Sequence, residues 1–177
     1  MVRKIPTPAQ LRVREAFKIG RAFLAPLNGL IKKGFAEMAR RKKSLPFGLA
    51  LGYTLRTAIK HDAEGPVVVP SLVRLSDGTI AGVNVPELKR YADSIELRHE
   101  TSDTRLYRED DQLILCAYQV EKGYAFVNER IWQRHEGKVI VPIPAGFEND
   151  GFHVYLLLSN RNGSKYSRSR YLGYSTK

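Results

Sequence analysis

Residues 111–120 read DQLILCAYQV and are apolar almost without interruption. A short apolar run between turn signals is typical of a strand that is buried inside a sheet. We therefore predict a central strand here, with Cys116 buried in it as a small hydrophobe. Because Cys116 is the one cysteine of the chain, no intramolecular disulfide can form. This fits a cytoplasmic protein, but it fits a disulfide-free surface or virion protein equally well.

Other short β-rich runs, separated by turn signals, extend from residue 63 to the C-terminus. The remaining predicted strands lie within residues 65–78, 94–100, 121–134, 135–147 and 150–160 and in the tail after Gly163. About seven strands in this part of the chain predict an antiparallel sandwich of immunoglobulin or fibronectin-III type. Trp132 is expected in its core, and the run 65–78 is expected to end in a turn at Asp77-Gly78.

The C-terminal tail, SNRNGSKYSRSRYLGYSTK, is rich in Ser, Arg and Tyr. Its start, residues 160–163, is a hairpin turn signal, which predicts a final strand paired with the strand before it. The predicted alternation places Tyr166, Arg168, Arg170 and Leu172 on one face and Ser167, Ser169 and Tyr171 on the other. Arg168 and Arg170 then form a basic edge, and binding of a polyanion by this tail remains the alternative.

Helical patterns fill the first 62 residues. The first helix is predicted to start at the N-cap Thr7, with Pro8 in its first turn and Gln10 completing a capping box, and to end or bend at Pro26. Its apolar stripe consists of Ala9, Val13, Ala16, Phe17, Gly20, Phe23 and Leu24. A second helix is predicted over residues 27–43 and a third over residues 47–62. Since such short helices are unstable alone, their apolar faces must meet each other, the following domain or a partner.

The formal net charge of +11 lies entirely in this helical part. Residues 1–62 contain 14 Lys/Arg and three acidic residues, whereas residues 63–177 contain 15 of each kind. A local cationic excess attracts polyanions or acidic protein faces. The candidate contact residues are Arg14, Lys18, Arg21, Lys32, Lys33, Arg40, Arg41, Lys42, Lys43, Arg168 and Arg170.

Recognisable catalytic spacings are absent from the sequence. The four histidines form no HxxxH or HExxH pattern, and the chain has no CxxC, GxSxG or phosphate-binding glycine loop. We therefore predict no catalytic residue, no metal site and no cofactor. Two carboxylate clusters, residues 109–111 and Glu148 with Asp150, lie at predicted turns, where calcium binding or a glycosidase pair is the less favoured alternative.

Three segments carry a resemblance to a known family: residues 6–35, 46–59 and 166–173. They resemble an uncharacterised domain-of-unknown-function family of Bacteroidota, whose members close on a Ser-x-Ser-x-Tyr-Leu-Gly signature. The signature is matched by Ser167, Ser169, Tyr171, Leu172 and Gly173. The Gly-rich basic arm that members carry before the first helix is not seen here, and Gly48 stands where they tend to have Asn or Ala. The resemblance implies a helical N-terminus followed by a β-sandwich, and it implies no activity.

These observations favour a non-enzymatic structural, assembly or interaction protein. We predict a basic helical region, residues 1–62, that docks to a protein partner or to itself, and a β-sandwich domain, residues 63–177. The alternative is sequence-independent binding of nucleic acid or another polyanion through the basic helices. An enzyme or a carbohydrate binder that uses a sandwich face is a third, weaker hypothesis. No secretory signal or membrane span is seen, so a cytoplasmic protein or a component of an assembled particle is expected.

Overall fold

A computed structural model describes residues 6–63, 65–101 and 108–177. In these residues four helices precede ten strands, which confirms the predicted α+β class. The helices are α1 (Pro8–Leu24), α2 (Asn28–Gly34), α3 (Ala36–Lys42) and α4 (Pro46–Thr57). The strands are β1 (Ile59–His61), β2 (Pro66–Val68), β3 (Glu87–Arg90), β4 (Ser94–Arg98), β5 (Gln112–Gln119), β6 (Tyr124–Val127), β7 (Trp132–Gln133), β8 (Lys138–Pro142), β9 (Phe152–Ser159) and β10 (Arg170–Ser175).

The start of α1 is confirmed in detail. The backbone N–H of Gln10 donates to Thr7 Oγ1 over 3.3 Å, and the N–H of Thr7 donates to Gln10 Oε1 over 3.0 Å. This reciprocal capping box satisfies two of the N–H groups that a helix start leaves without partners. At the other end, Pro26 lies in a 3-10 turn over Ala25–Leu27, which joins α1 to α2.

The prediction of one helix over residues 27–43 was wrong, because the helix breaks at Phe35 (φ −107°, ψ 3°). At the break another part of the chain packs directly against Gly34. The N–H of Asp77 donates to the Gly34 carbonyl over 3.3 Å, and a Cβ built on Gly34 would lie 2.5 Å from the Leu75 carbonyl oxygen. The third helix is also shorter than predicted, since it ends at Thr57 and strand β1 follows it.

All strand pairs in the three sheets of the described residues are antiparallel. The central sheet has the order β10-β9-β5-β6, and β7 also pairs with β5. A second sheet has the order β3-β4-β8, and β1 and β2 form a two-stranded hairpin. Strand β5 is therefore central, as predicted, and pairs with three other strands.

The central sheet is covered on both faces, which explains the uninterrupted apolar character of β5. One core lies between this sheet and the helices and contains Cys116, Tyr118 and Leu157 of the sheet. The other core lies between the central sheet and the three-stranded sheet and contains Leu115 and Leu156. The helices thus form one layer on the central sheet, and the predicted division into domains at residue 62 stays a prediction.

Several strand predictions were wrong in extent. Residues 65–78 contain the short strand β2 and a 3-10 turn over Pro70–Leu72, and the predicted turn at Asp77-Gly78 does not form. The run 121–134 splits into β6 and β7, and β3 was not predicted. The described residues therefore hold ten strands where about seven were expected, and the strand order does not confirm an immunoglobulin or fibronectin-III type.

The tail forms the predicted turn and the predicted final strand. The N–H of Gly163 donates to the Asn160 carbonyl over 2.8 Å, and β10 pairs with β9 from Arg170 onward. Before that strand, both Tyr166 and Ser167 are buried, because neighbouring chain lies on two sides of this segment.

Ser167 and Ser169 hydrogen-bond this part of the tail to the two segments beside it, β9 and residues 75–76. Ser167 Oγ accepts the Leu158 N–H over 2.9 Å, and Ser169 Oγ accepts the Leu75 N–H over 2.8 Å. The hydroxyl of Ser76 donates in turn to the Ser167 carbonyl over 2.7 Å. These bonds attach the tail to β9 and to the segment that packs on Gly34.

Candidate interaction surface of the helical layer

The first half of α1 is exposed to solvent. Residues 8–15 are all exposed, whereas Ala16, Gly20, Phe23 and Leu24 of the predicted stripe are buried. Three large apolar side chains remain in contact with solvent: the exposed fractions are 50% for Leu11, 68% for Val13 and 47% for Phe17. One end of the helix is thus packed, and the other end presents uncovered apolar surface.

Apolar grooves flank α1 on two sides. A groove of about 630 Å³ is lined mainly by Val13 and Ala16 of α1 and by Leu55 and Ile59, and Arg12 also lines it. A second groove of about 480 Å³ lies between α1 and β2, and its lining includes Phe23, Val67 and Tyr118. The uncovered face of α1 therefore continues into recesses that could accept apolar side chains of a partner.

All eleven cations predicted as contact residues are exposed. Nine of them belong to the helical part: Arg14, Lys18, Arg21, Lys32, Lys33, Arg40, Arg41, Lys42 and Lys43. None of these nine forms an ion pair with a carboxylate of the described residues. Arg14, Lys18 and Arg21 follow one side of α1 at spacings of four and three residues, beside the exposed Phe17. Their charge is available to an acidic partner.

The structure brings only some of these cations together. Arg21 and Lys32 line one groove of about 350 Å³ with Leu45 and Phe47. Lys33 lines a separate cleft at the end of the central sheet.

The two tail cations lie apart from each other. Arg168 pairs with Asp77 over 3.3 Å, next to α2, because the N–H of Asp77 donates to Gly34. Arg170 instead donates to the Val83 carbonyl over 3.2 Å. The two arginines of the predicted basic edge therefore contact different parts of the protein: Arg168 contacts Asp77, and Arg170 contacts Val83.

Sequence reasoning missed several residues of this surface. Leu11 and Arg12 were not assigned to it, and neither were Arg130 and Arg161, which share the cleft with Lys33. The position of Leu11 outside the apolar stripe could have indicated an exposed hydrophobe. No local signal could place Arg130 and Arg161 next to α2, because strand pairing brings these distant residues together.

The reactive side chains of β5 and β9 are buried in the helix-facing core. Burial raises the pKa of the Cys116 thiol to about 12, so this thiol stays protonated at neutral pH. Burial also raises the pKa of Tyr118 to about 12, and its hydroxyl donates to the Phe23 carbonyl over 2.9 Å. The Tyr155 hydroxyl donates to the Pro70 carbonyl over 2.8 Å, and burial raises its pKa as well. The Tyr118 hydroxyl thus attaches α1 to the sheet, and the Tyr155 hydroxyl attaches the 3-10 turn that follows β2.

The two carboxylate clusters lie in structural contacts. Asp111 is buried and pairs with Arg134 over 3.4 Å; burial raises the pKa of Asp111, and Arg134 opposes that shift. Asp150 pairs with Lys122 over 2.6 Å, and Glu148 accepts the Gly146 N–H over 2.9 Å. In residues 6–63, 65–101 and 108–177, no three His, Cys, Asp or Glu side chains come together as metal ligands would.

Two side chains that were expected in the core, Trp132 and Cys116, are both buried. Trp132 is 7% exposed and Cys116 is fully buried, which confirms both as core residues.

None of the four helices in the described residues combines the length and the apolar character that a membrane span requires.

Taken together, the fold and the surface define a small α+β protein in which a cationic helical layer covers one face of an antiparallel sheet. The chain belongs to the family of unknown function DUF6266, whose model matches residues 1–173. This confirms the resemblance to a domain-of-unknown-function family, while the restriction to Bacteroidota and the closing signature stay predictions. Comparison with curated proteins gave no match, and comparison with solved structures gave none either.

Proposed function

We propose that this protein is a non-enzymatic interaction or assembly module whose helical layer docks onto an acidic partner protein. The observation that carries the proposal is the uncovered end of α1. There Leu11, Val13 and Phe17 expose apolar surface next to Arg14 and Lys18, which pair with no carboxylate of the described residues. Apolar anchors surrounded by charge are typical of protein interfaces, in which the anchors supply affinity and the charges supply orientation and association rate.

Charge complementarity decides between a second copy and a different protein. Residues 8–57 contain 11 Lys/Arg and two acidic residues, so two helical layers brought face to face repel each other. An acidic surface with one or two apolar side chains complements both the charges and the grooves beside α1. We therefore assign the surface to a different, acidic protein.

The non-enzymatic part of the proposal is supported by the state of the potential nucleophiles. Cys116 is fully buried, and its raised pKa holds the thiol protonated. Tyr118 and Tyr155 are likewise buried and donate to backbone carbonyls. A group that is buried and protonated in this way cannot attack a substrate that approaches from solvent.

The experiment has two stages. Proteins captured by the full chain in its native cells are identified, and the acidic ones are purified and titrated against the chain by calorimetry. Phe17→Ala and the double variant Arg14→Gln/Lys18→Gln are each expected to weaken binding at least about tenfold. Tyr91→Ala is the matched control, because Tyr91 is 44% exposed and lies outside the helical layer.

Two outcomes would contradict the proposal. Equal affinity of the purified partner for the wild type and both α1 variants would remove α1 from the interface. Light scattering that shows a dimer, and a monomer for Phe17→Ala, would mean that a second copy occupies the surface.

A second candidate function is sequence-independent binding of a polyanion such as nucleic acid. It is supported by the nine exposed helix cations that have no carboxylate partner among the described residues. Fluorescence anisotropy with labelled DNA and RNA is expected to show binding that weakens steeply with salt and does not depend on base sequence. Arg40→Gln/Arg41→Gln should lower the salt slope, and absence of binding at low salt would rule this function out.

A further inference from the structure

A cleft of about 500 Å³ opens at one end of the central sheet, on a surface distinct from the exposed end of α1. It lies where α2, the start of β5, the loop after β6 and the turn between β9 and β10 meet. Three cations from three separate segments line it: Lys33, Arg130 and Arg161. Its volume lies within the range of clefts that bind small molecules.

The turn that carries Arg161 is held firmly. Gln112 of β5 donates from its side-chain amide to the Arg161 carbonyl over 3.0 Å. Asn160 Oδ1 accepts the N–H groups of Ser164 and Lys165 over 2.9 and 3.0 Å. These bonds fix the backbone from which the Arg161 side chain extends, which lowers the entropic cost of ordering it around a ligand.

The loop that carries Arg130 is fixed in the same way. Asn128 donates from its side-chain amide to the carbonyls of Arg130 and Leu113 over 2.8 and 3.2 Å. The Arg130 guanidinium lies 4.1 Å from the centre of the Trp132 ring and pairs with Glu136 over 2.5 Å. Amide side chains therefore attach both arginine-bearing loops to the central strand, and Arg130 has a defined position.

The lining combines positive charge with an apolar wall. Lys33 and Arg161 form no ion pair with the described carboxylates, and Glu129 is the one acidic residue among those that line the cleft. Leu30, Ile114 and Val127 supply apolar surface beside them.

We propose that this cleft binds a small organic anion. A carboxylate or phosphate group would contact Lys33 and Arg161, and an apolar or aromatic body would pack on Leu30, Ile114 and Val127. Charged hydrogen bonds to such a group are strong, and an apolar body adds the hydrophobic contribution of its buried area. The inference goes beyond the proposed docking function, because it concerns another surface and another class of ligand.

Calorimetry with three related probes tests this proposal: 1-naphthyl phosphate, 1-naphthoate and the uncharged 1-naphthol. One or both anions are expected to bind the full chain, and 1-naphthol at least about tenfold more weakly. The preferred anion tells whether the cleft takes a phosphate or a carboxylate. Lys33→Gln and Arg161→Gln should each weaken binding of that anion by about tenfold, because each removes one charged contact.

The control variant is Lys60→Gln, since Lys60 is exposed and lies outside the cleft. Its affinity should equal that of the wild type, and thermal melts should show that all three variants are folded. The proposal is overturned if neither anion binds at millimolar concentration, if 1-naphthol binds as tightly, or if the two cleft variants bind as the wild type does. Phe17→Ala should leave anion binding unchanged, so failure of the docking function and failure of the anion cleft can be distinguished.

Discussion

Both faces of the central sheet are covered, but they differ in chemistry. The face toward the three-stranded sheet contributes apolar side chains such as Leu115 and Leu156 to its core. The face toward the helices also carries Tyr118 and Tyr155, which donate to the backbone carbonyls of Phe23 and Pro70. One core is thus held by apolar contacts, and the other adds hydrogen bonds that reach into the covering layer.

This difference has a physical consequence for how each layer is positioned. Hydrophobic contact is non-directional, so it brings layers together without fixing one exact placement. A buried hydroxyl must meet an acceptor at a defined distance and angle, because an unsatisfied buried polar group is costly. The layer that covers this face is therefore located by specific bonds as well as by burial, and the predictions below test how the parts of the protein are held together.

The largest effect is expected from removing one buried leucine in each core. Leu115 and Leu157 are both 0% exposed and belong to opposite faces of the sheet. Leu115→Ala and Leu157→Ala should each lower the free energy of unfolding by about 2–5 kcal/mol, as measured by urea denaturation. In the double variant the two losses should add to within about 0.5 kcal/mol if the cores are independent. A larger deviation would mean that the cores respond as one unit.

A smaller loss of stability is expected from a substitution at Gly34, where α2 packs against the segment that contains Ser76. In Gly34→Ala the new Cβ would lie 2.5 Å from the Leu75 carbonyl oxygen and from Ser76 Cβ, so the two segments must separate. We expect a loss of about 1–3 kcal/mol in chemical denaturation.

The same helix supplies the control for Gly34→Ala. A Cβ on Gly29 meets no atom within 4 Å, so Gly29→Ala should stabilise by roughly 0.5–1 kcal/mol through helix propensity. Equal effects of the two substitutions would show that the tight fit at Gly34 does not determine how α2 is placed.

Loss of a single hydroxyl tests the bonds that position the helical layer. Tyr118→Phe removes the bond to the Phe23 carbonyl and keeps the ring, so a loss of about 1 kcal/mol in the free energy of unfolding is expected. Tyr124 is 55% exposed, and Tyr124→Phe should change stability by less than about 0.5 kcal/mol. Hydrogen exchange of α1 amides should increase in Tyr118→Phe. If exchange of α1 is unchanged, the hydroxyl does not position that helix.

The smallest effect is expected from pH. Burial lowers the pKa of His153, on the helix-facing side, and of His99, which is 6% exposed and continues the alternation of Ile95 and Leu97. A lowered folded pKa means that the unfolded chain takes up the proton first. These residues therefore reduce stability as pH falls through the ordinary value of 6.5, and their effect fades as pH rises above that value.

Variants separate the two histidine contributions. His99→Gln and His153→Gln should each reduce the loss of stability between pH 7 and pH 5 relative to the wild type, as measured by denaturation at several pH values. His135→Gln is the control, because His135 is exposed. A steeper loss in either buried-histidine variant would reverse the assigned sign.

Local patterns predicted the elements whose signals lie close together in the chain. The capping box at Thr7, the buried strand β5 and the turn at Asn160 depend on neighbouring residues, and all three are confirmed. Patterns failed where a distant contact decides the local geometry. The break at Phe35 lies next to the packing of Leu75 on Gly34, and residues 65–78 form only the short strand β2.

The candidate interaction surface of the helical layer was likewise predictable only in part from the sequence. The sequence indicated the cations of the helices, because charge and helical period are visible in a single segment. It could not show that the apolar stripe of α1 is covered at Phe23 and exposed at Val13. That distinction depends on distant residues, because Phe23 packs on Tyr118 of the central sheet.

The amino-acid sequence by itself determined that a cationic helical part precedes a β-rich part with a buried central strand, since hydrophobic period and charge are properties of consecutive residues. Only the tertiary structure decided that the helices cover one face of that strand's sheet, and that Lys33 shares a cleft with Arg130 and Arg161. The physical reason is that strand pairing and layer packing join residues far apart in the chain, and no short stretch of sequence encodes which distant partner it will meet.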